Sequence, residues 1–241
     1  VNPATAAIKG QRMLDRDRVS VLMGEINSAS ALSIMRVANR NERLYMQIGG
    51  RSDVLRGSSC NRYTFHVDIP STTMVNVVGK SLLRDNLMKD KTFCALTADY
   101  IFGHDLARAA RRFLSANGGR LVDDELMATD VTDFGPYLEK IRASKPDLVC
   151  CNLIGTQLVN LVRQYDAAGL TAPIIGFNLN TADVWAAGEG HLSGTWPTVW
   201  YHTLDVPASK AFVAAFIKRY GKVPENHAWI CLLYTSPSPR D

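Results

Sequence analysis

The chain of 241 residues is 46% hydrophobic and 21% charged, the balance of an ordinary globular protein with a sizeable core. Its 27 Lys and Arg against 23 Asp and Glu leave a net charge of +4, and the basic residues are scattered over helix faces rather than gathered in a run, which argues against nucleic acid as a partner. No apolar run approaches the ~20 residues of a membrane-spanning helix.

The first residues, VNPATAAIKGQRML, lack the apolar segment of a signal peptide and enter an amphipathic helix at 4–14 without a preceding strand, so the chain reads as starting inside a longer protein. A strand at 19–23, a helix at 29–39 and a strand at 44–48 follow. The segment RYTFHVDIPSTT (62–73) has a strand-like start but turns polar around Pro70, and reads as a crossover between two lobes rather than a further sheet element. A helix at 74–88 leads to a strand at 92–97, and 98–104 reads as the loop into a helix at 105–116. That helix lines up Leu106, Ala109, Ala110, Phe113 and Leu114 on one face and Arg108, Arg111 and Arg112 on the other, and Asn117-Gly118-Gly119 ends it.

Next come a helix at 134–143, announced by Thr132-Asp133 and Pro136, a strand at 148–153, and a helix at 157–168 closed by Gly169. Strands at 173–177 and 195–200 follow, then a second crossover in VWYHTLDVP (199–207) and a helix at 208–220. Strands alternating with helices imply parallel sheets covered on both faces, so the fold class is α/β.

The usual catalytic signatures are missing. Gly188-Glu189-Gly190 through Gly194 follows a helix and precedes a strand, the wrong context for a dinucleotide loop, and there is no GxSxG, Walker or HExxH motif. His104-Asp105 at a helix start could be a base and its orienter, but a helix cap is the preferred reading of Asp105. His66, His191, His202 and His227 are dispersed, and the five cysteines form no CxxC pair or metal spacing. Cys94, Cys150 and Cys151 fall in strand-like runs as small buried hydrophobes, whereas Cys60, in the polar loop GSSCNRY, is the candidate for a disulfide to a segment outside this chain. Neither a metal nor an organic cofactor is expected.

Short polar or small residues recur instead at the carboxyl ends of successive strands: INSAS (26–30), GGRS (49–52), ADYIFG (98–103), Asn152 with IGT (154–156), and NLN (178–180). In α/β sheets that edge, facing helix N-termini, is where ligands sit. Hydroxyls, amides, an Arg and aromatics converging there make a recognition site without a proton shuttle.

In this order and spacing CNRYTFHVDIP (60–70), LTADYIFGHDLARA (96–109), TDFGPYLEKIRASKPDLV (132–149), QYDAAGLTAPIIG (164–176) and KAFVAAFIKRYGKVP (210–224) make the chain resemble the solute-binding proteins of branched-chain amino acid type ABC transporters, the Leu/Ile/Val-binding class of the type I periplasmic binding fold. The resemblance runs to about Trp229. It implies two lobes, 1–66 with 202–230 and 67–201, joined by hinge crossings and closing over a small solute. It implies that Ser28, Gly49 and Arg51 contact a ligand carboxylate on the first lobe, and that Tyr100 and Phe102 cover it from the second.

In the same family the loop after strand 173–177 often supplies an acidic group for a ligand ammonium, and here it carries Asn178 and Asn180. With Arg51 in place of the Thr often found, this favours an anionic or amide solute, unless Arg51 is a surface residue pointing to water. Asn152 completes the expected set.

The resemblance also implies a bacterial protein on the periplasmic or extracellular face, a monomer, delivering its solute to an ABC permease in the membrane. A ligand-sensing domain of a receptor or regulator on the same fold is the alternative, and an enzyme using His104 or Asp99 the third reading. The family's first strand is expected to precede Val1, and the tail at 231–241, CLLYTSPSPRD, is expected to be disordered or foreign, because its prolines cannot extend a helix.

Overall fold

The computed structural model describes residues 2–188, 190 and 194–228. The tail at 231–241, Trp229 and His191 lie outside these residues. The chain opens with α1 (Pro3–Asp15), where Pro3 sits in the first turn and the Asn2 side chain accepts from the backbone N–H groups of Ala4 and Thr5 at 2.9 and 3.1 Å. Next come β1 (Val21–Gly24), α2 (Ser28–Arg40), β2 (Leu44–Gln47) and β3 (Thr64–His66), which build a three-stranded parallel sheet in the order β1-β2-β3.

The second sheet contains β4 (Thr92–Ala98), β5 (Arg120–Met127), β6 (Leu148–Asn152), β7 (Ile174–Gly176) and β8 (Gly194–Thr195), all parallel, in the order β5-β4-β6-β7-β8. Around it run α3 (Ser71–Arg84), α4 (Ile101–Ala116), α5 (Gly135–Ser144), α6 (Thr156–Ala167) and α7 (Thr181–Ala187), with α8 (Pro207–Tyr220) beyond it.

Both faces of the larger sheet are buried, so its central strands read as unbroken apolar runs. Alternation along them sorts the core into two layers. Phe93, Ala95, Leu148 and Cys150 pack with Val78, Leu82, Leu106 and Ala110 of α3 and α4. Cys94, Leu96, Val149 and Cys151 pack with Leu138, Ile141, Leu158 and Leu161 of α5 and α6. The cysteines are thus buried hydrophobes, as expected, and burial pushes the Cys94 and Cys151 thiols up to about 12. The smaller sheet is packed on one face, where Leu22 and Tyr45 meet Ala31 and Met35 of α2. Val21, Met23, Leu44 and Phe65 are exposed on the other.

Several sequence expectations need correction. Residues 64–66 are not merely crossover: they pair with β2, with Thr64 opposite Tyr45 and Phe65 opposite Met46. The strand β5 was hidden by its charges, RLVDDELM, which are satisfied sideways. Asp124 accepts from the Thr97 hydroxyl at 2.8 Å and pairs with Arg111, and Glu125 pairs with Lys140 at 2.7 Å. The helix expected at 74–88 begins earlier and stops at Arg84, yet Met88 still reaches the core through a turn in which Asn86 adopts φ +57°. Residues 196–200 are not strand, because β8 ends at Thr195.

The loop expected at 98–104 is only two residues long, because α4 starts at Ile101 and draws Phe102 and His104 into its first turns. This tight junction depends on Gly103. A Cβ there would come far inside van der Waals contact with the Ala98 carbonyl oxygen, a backbone atom that cannot swing aside. Gly103→Ala is expected to cost about 1–3 kcal/mol, the usual range for overpacking. Urea unfolding checks this, and an unchanged midpoint would show that the turn relaxes freely.

Candidate functional site

The carboxyl ends of the two sheets face a cavity of about 280 Å³. This is near the lower end of ligand pockets, ~300–1,000 Å³, and suits a solute of amino acid size. The three-stranded side contributes Ser28, Gly49 and Arg51, and the five-stranded side contributes Tyr100, Phe102, Asn178 and Asn180, so seven of the eight expected residues line one space. Asn152 does not line it. It is buried in β6, where its Nδ2 donates to the Thr97 hydroxyl at 2.9 Å, so its role is internal to the sheet.

Local chemistry places each lining group. Ser28 opens α2, whose cap is Asn27, and its buried hydroxyl oxygen accepts from the backbone N–H groups of Arg51 and Ser52, each at 3.2 Å. The loop after β2 is thereby tied to the start of α2. Gly49 keeps the wall thin, because a Cβ would come 3.2 Å from Ile26 Cγ1. Tyr100 is the first residue outside α4, and its ring centroid lies 6.0 Å from that of Phe102. Burial raises the Tyr100 phenol above its ordinary range, keeping it a neutral hydroxyl. Phe102 is only 4% exposed and belongs mostly to the core. Asn180 caps α7 by accepting from the Ala182 N–H at 3.2 Å.

Arg51 differs most from expectation. It is neither on the surface nor available as a bare cation. At 7% exposure, its Nε donates to Asp68 Oδ2 at 2.6 Å, its Nη1 donates to Asn178 Oδ1, and its Nη2 lies 3.3 Å from His227 Nε2. The Asp68 side chain is fully buried and also accepts from the Ile69 N–H at 2.7 Å. Asp68 therefore balances the guanidinium charge, leaving one N–H on each terminal nitrogen as a neutral-site donor. Burial and the adjacent Arg51 cation lower His227 to about 4, partly opposed by Asp68, so its ring is neutral at physiological pH.

Sequence reasoning missed two carboxylates in the wall, Asp183 and Glu225. Asp183, in the first turn of α7, accepts from the Gly155 N–H at 2.9 Å, and Gly155 holds φ +62° at the start of α6. Burial raises the Asp183 carboxyl above the ordinary carboxylate range despite that hydrogen bond. The loop after β7 carries amides and no carboxylate, but an acidic group lines the cavity five residues beyond Asn178, in the short helix that precedes Gly188. The signal available was Asn180 as a cap followed by an acidic residue in the next turn.

The pair His104 and Asp99, 2.8 Å apart and partly exposed, stands outside the cavity wall. Asp105 is not the helix cap that was expected, since it is the fifth residue of α4 and reaches elsewhere. Among the described residues no group of three or more His, Cys, Asp or Glu is placed to hold a metal, no helix is long and apolar enough to cross a membrane, and Cys60 is an exposed free thiol.

The family profile described as periplasmic binding protein matches residues 1–235. A Leu/Ile/Val-binding protein homolog 4 from Brucella abortus (strain 2308) is 25% identical over 188 residues, which is 76% of this chain and 44% of that protein. A periplasmic binding protein from Burkholderia mallei superposes with a TM-score of 0.85 at 27% identity, covering 93% of this chain and 60% of its own. A branched-chain amino acid ABC transporter periplasmic ligand-binding protein from Burkholderia xenovorans LB400 superposes at 0.78 with 26% identity, covering 94% and 60%. The chain belongs to the periplasmic binding protein family, with the type I fold, and it spans less than half the length of the curated relative it matches.

Proposed function

We propose that this chain is the solute-capturing part of an ABC transporter, working on the extracytoplasmic side of a bacterial membrane, binding without chemical conversion and handing its solute to a permease. In this reading residues 1–66 with 202–230 form one lobe and 67–201 the other. Solute contacts from both lobes stabilise the closed state that the permease receives. The observation that carries the proposal is the cavity itself, whose walls come from the strand ends of two separate sheets.

The solute favoured is small and zwitterionic, of amino acid type. An anion alone suits the site less well, because Arg51 is already balanced by Asp68 while Asp183 and Glu225 add negative charge. A ligand carboxylate fits the Ser28 and Gly49 side, where helix α2 begins and Arg51 retains donors, and an ammonium fits Asp183. Tyr100 then supplies both a ring face and a hydroxyl.

Calorimetric titration with L-leucine tests this reading. Tyr100→Ala is expected to weaken binding about tenfold or more, by loss of an aromatic contact and a hydrogen bond, while the circular dichroism spectrum is retained. Unchanged affinity in that variant would remove Tyr100 from the site. No binding of leucine, other amino acids or amides by the wild type would remove the solute class.

A further inference from the structure

We infer that Asp105 is a positioning residue that cross-links the two walls of the solute cavity, an inference about closure that rests on the capture reading above. Its carboxylate is fully buried, yet it sits in the second turn of α4, too far in to serve as an N-cap. It accepts from the Ser52 hydroxyl and, at 2.9 Å, from the backbone N–H of Asp53, both in the 3-10 turn that follows β2, and it pairs with Arg108 on its own helix. The helix belongs to the five-stranded unit and the turn follows a strand of the three-stranded unit.

A buried carboxylate is costly unless it is paired and hydrogen-bonded, so the structure must hold these donors in place for Asp105 to remain there. The cross-link continues on both sides toward the solute. Ser52 N–H and Arg51 N–H share the Ser28 hydroxyl oxygen, and Ser28 and Arg51 line the cavity. On the other side Asp105 follows Phe102 by one turn of α4, and Tyr100 precedes that helix. A second layer secures the turn: Asp53 accepts from the Thr72 hydroxyl at 2.7 Å and the Thr72 N–H at 3.1 Å, at the start of α3. One carboxylate thus aligns the loop that would hold a ligand carboxylate with the aromatics that would cover it.

The test compares the full chain with its Asp105→Asn and Asp105→Ala variants by amide hydrogen exchange without solute, and by leucine dissociation rate. Asp105→Asn retains an acceptor oxygen and guards against a failure of the alanine variant to fold. Exchange at Asp53 is expected to quicken about tenfold or more in Asp105→Ala and less in Asp105→Asn, while the amides of 109–114 in α4 keep their protection. Leucine is expected to leave faster, with its association rate little changed. Unchanged exchange at Asp53 in both variants, or exchange rising equally throughout α4, would overturn the inference. If leucine does not bind the wild type, that outcome bears on the solute class alone, and the exchange at Asp53 still decides the role of Asp105.

Discussion

Arg51→Met is expected to lower the unfolding free energy by about 3–5 kcal/mol, the cost of leaving one partner of a buried ion pair uncompensated. Asp68 has no exposed side-chain surface, and without Arg51 it keeps, among the described residues, the Ile69 N–H as its one hydrogen-bond donor. The variant also frees Asn178 Oδ1 and removes the contact to His227, so the strand ends on both sides of the cavity lose their shared donor. Urea unfolding measures the loss.

The double variant Arg51→Met/Asp68→Leu separates two causes. If the penalty comes from an orphaned charge, replacing both groups recovers much of it, because apolar residues of similar size carry no desolvation cost. If the two single losses simply add in the double variant, the pair is not the source of the effect. The same measurement bears on the solute, since a guanidinium committed to Asp68 is a scaffold first and a ligand donor second.

Asp183→Asn is expected to move stability and affinity in opposite directions. Burial holds the folded-state pKa of Asp183 above its ordinary 3.8, so ionising it costs folding energy. The sign follows from proton linkage: its stabilising contribution is present below the unfolded pKa and is lost as pH rises through the raised folded value. At pH 7 the asparagine variant, which keeps an oxygen to accept from Gly155 N–H, should therefore melt at a higher temperature than the wild type, and the gain should shrink as pH falls toward 3.8.

Affinity for leucine should fall by about 10- to 100-fold, the range for losing a charge-assisted hydrogen bond, while affinity for 4-methylpentanoate, which lacks the amine, should change little. Equal losses for both solutes would place the ammonium elsewhere, with Glu225 as the next group to replace. A stability cost at pH 7 would mean that the carboxylate serves the fold. A residue that weakens the fold while strengthening binding is the pattern expected of a functional site.

The α/β class and most of the helices were legible in the residues alone, because both are written in local signals. Apolar periodicity marked α4 and α6, and Asn2-Pro3, Asp133 and Gly169 marked helix ends without reference to any distant residue. The polar strand ends were legible for the same reason, and seven of the residues they suggested share one cavity. Where the solvent-facing pattern is broken by lateral ion pairs, as in β5, or an element is as short as β3, local periodicity is too weak to show it.

The electrostatics of the site, by contrast, arise where distant segments meet in space. Whether Arg51 is a free cation depends on Asp68, Asn178 and His227, which are 17, 127 and 176 positions away in the chain. Whether a carboxylate faces the solute depends on how α7 turns Asp183 inward, and the purpose of Asp105 depends on a turn 52 residues earlier. Charge compensation falls off within a few ångströms and is blind to separation along the chain, so it is settled by which segments the fold brings together.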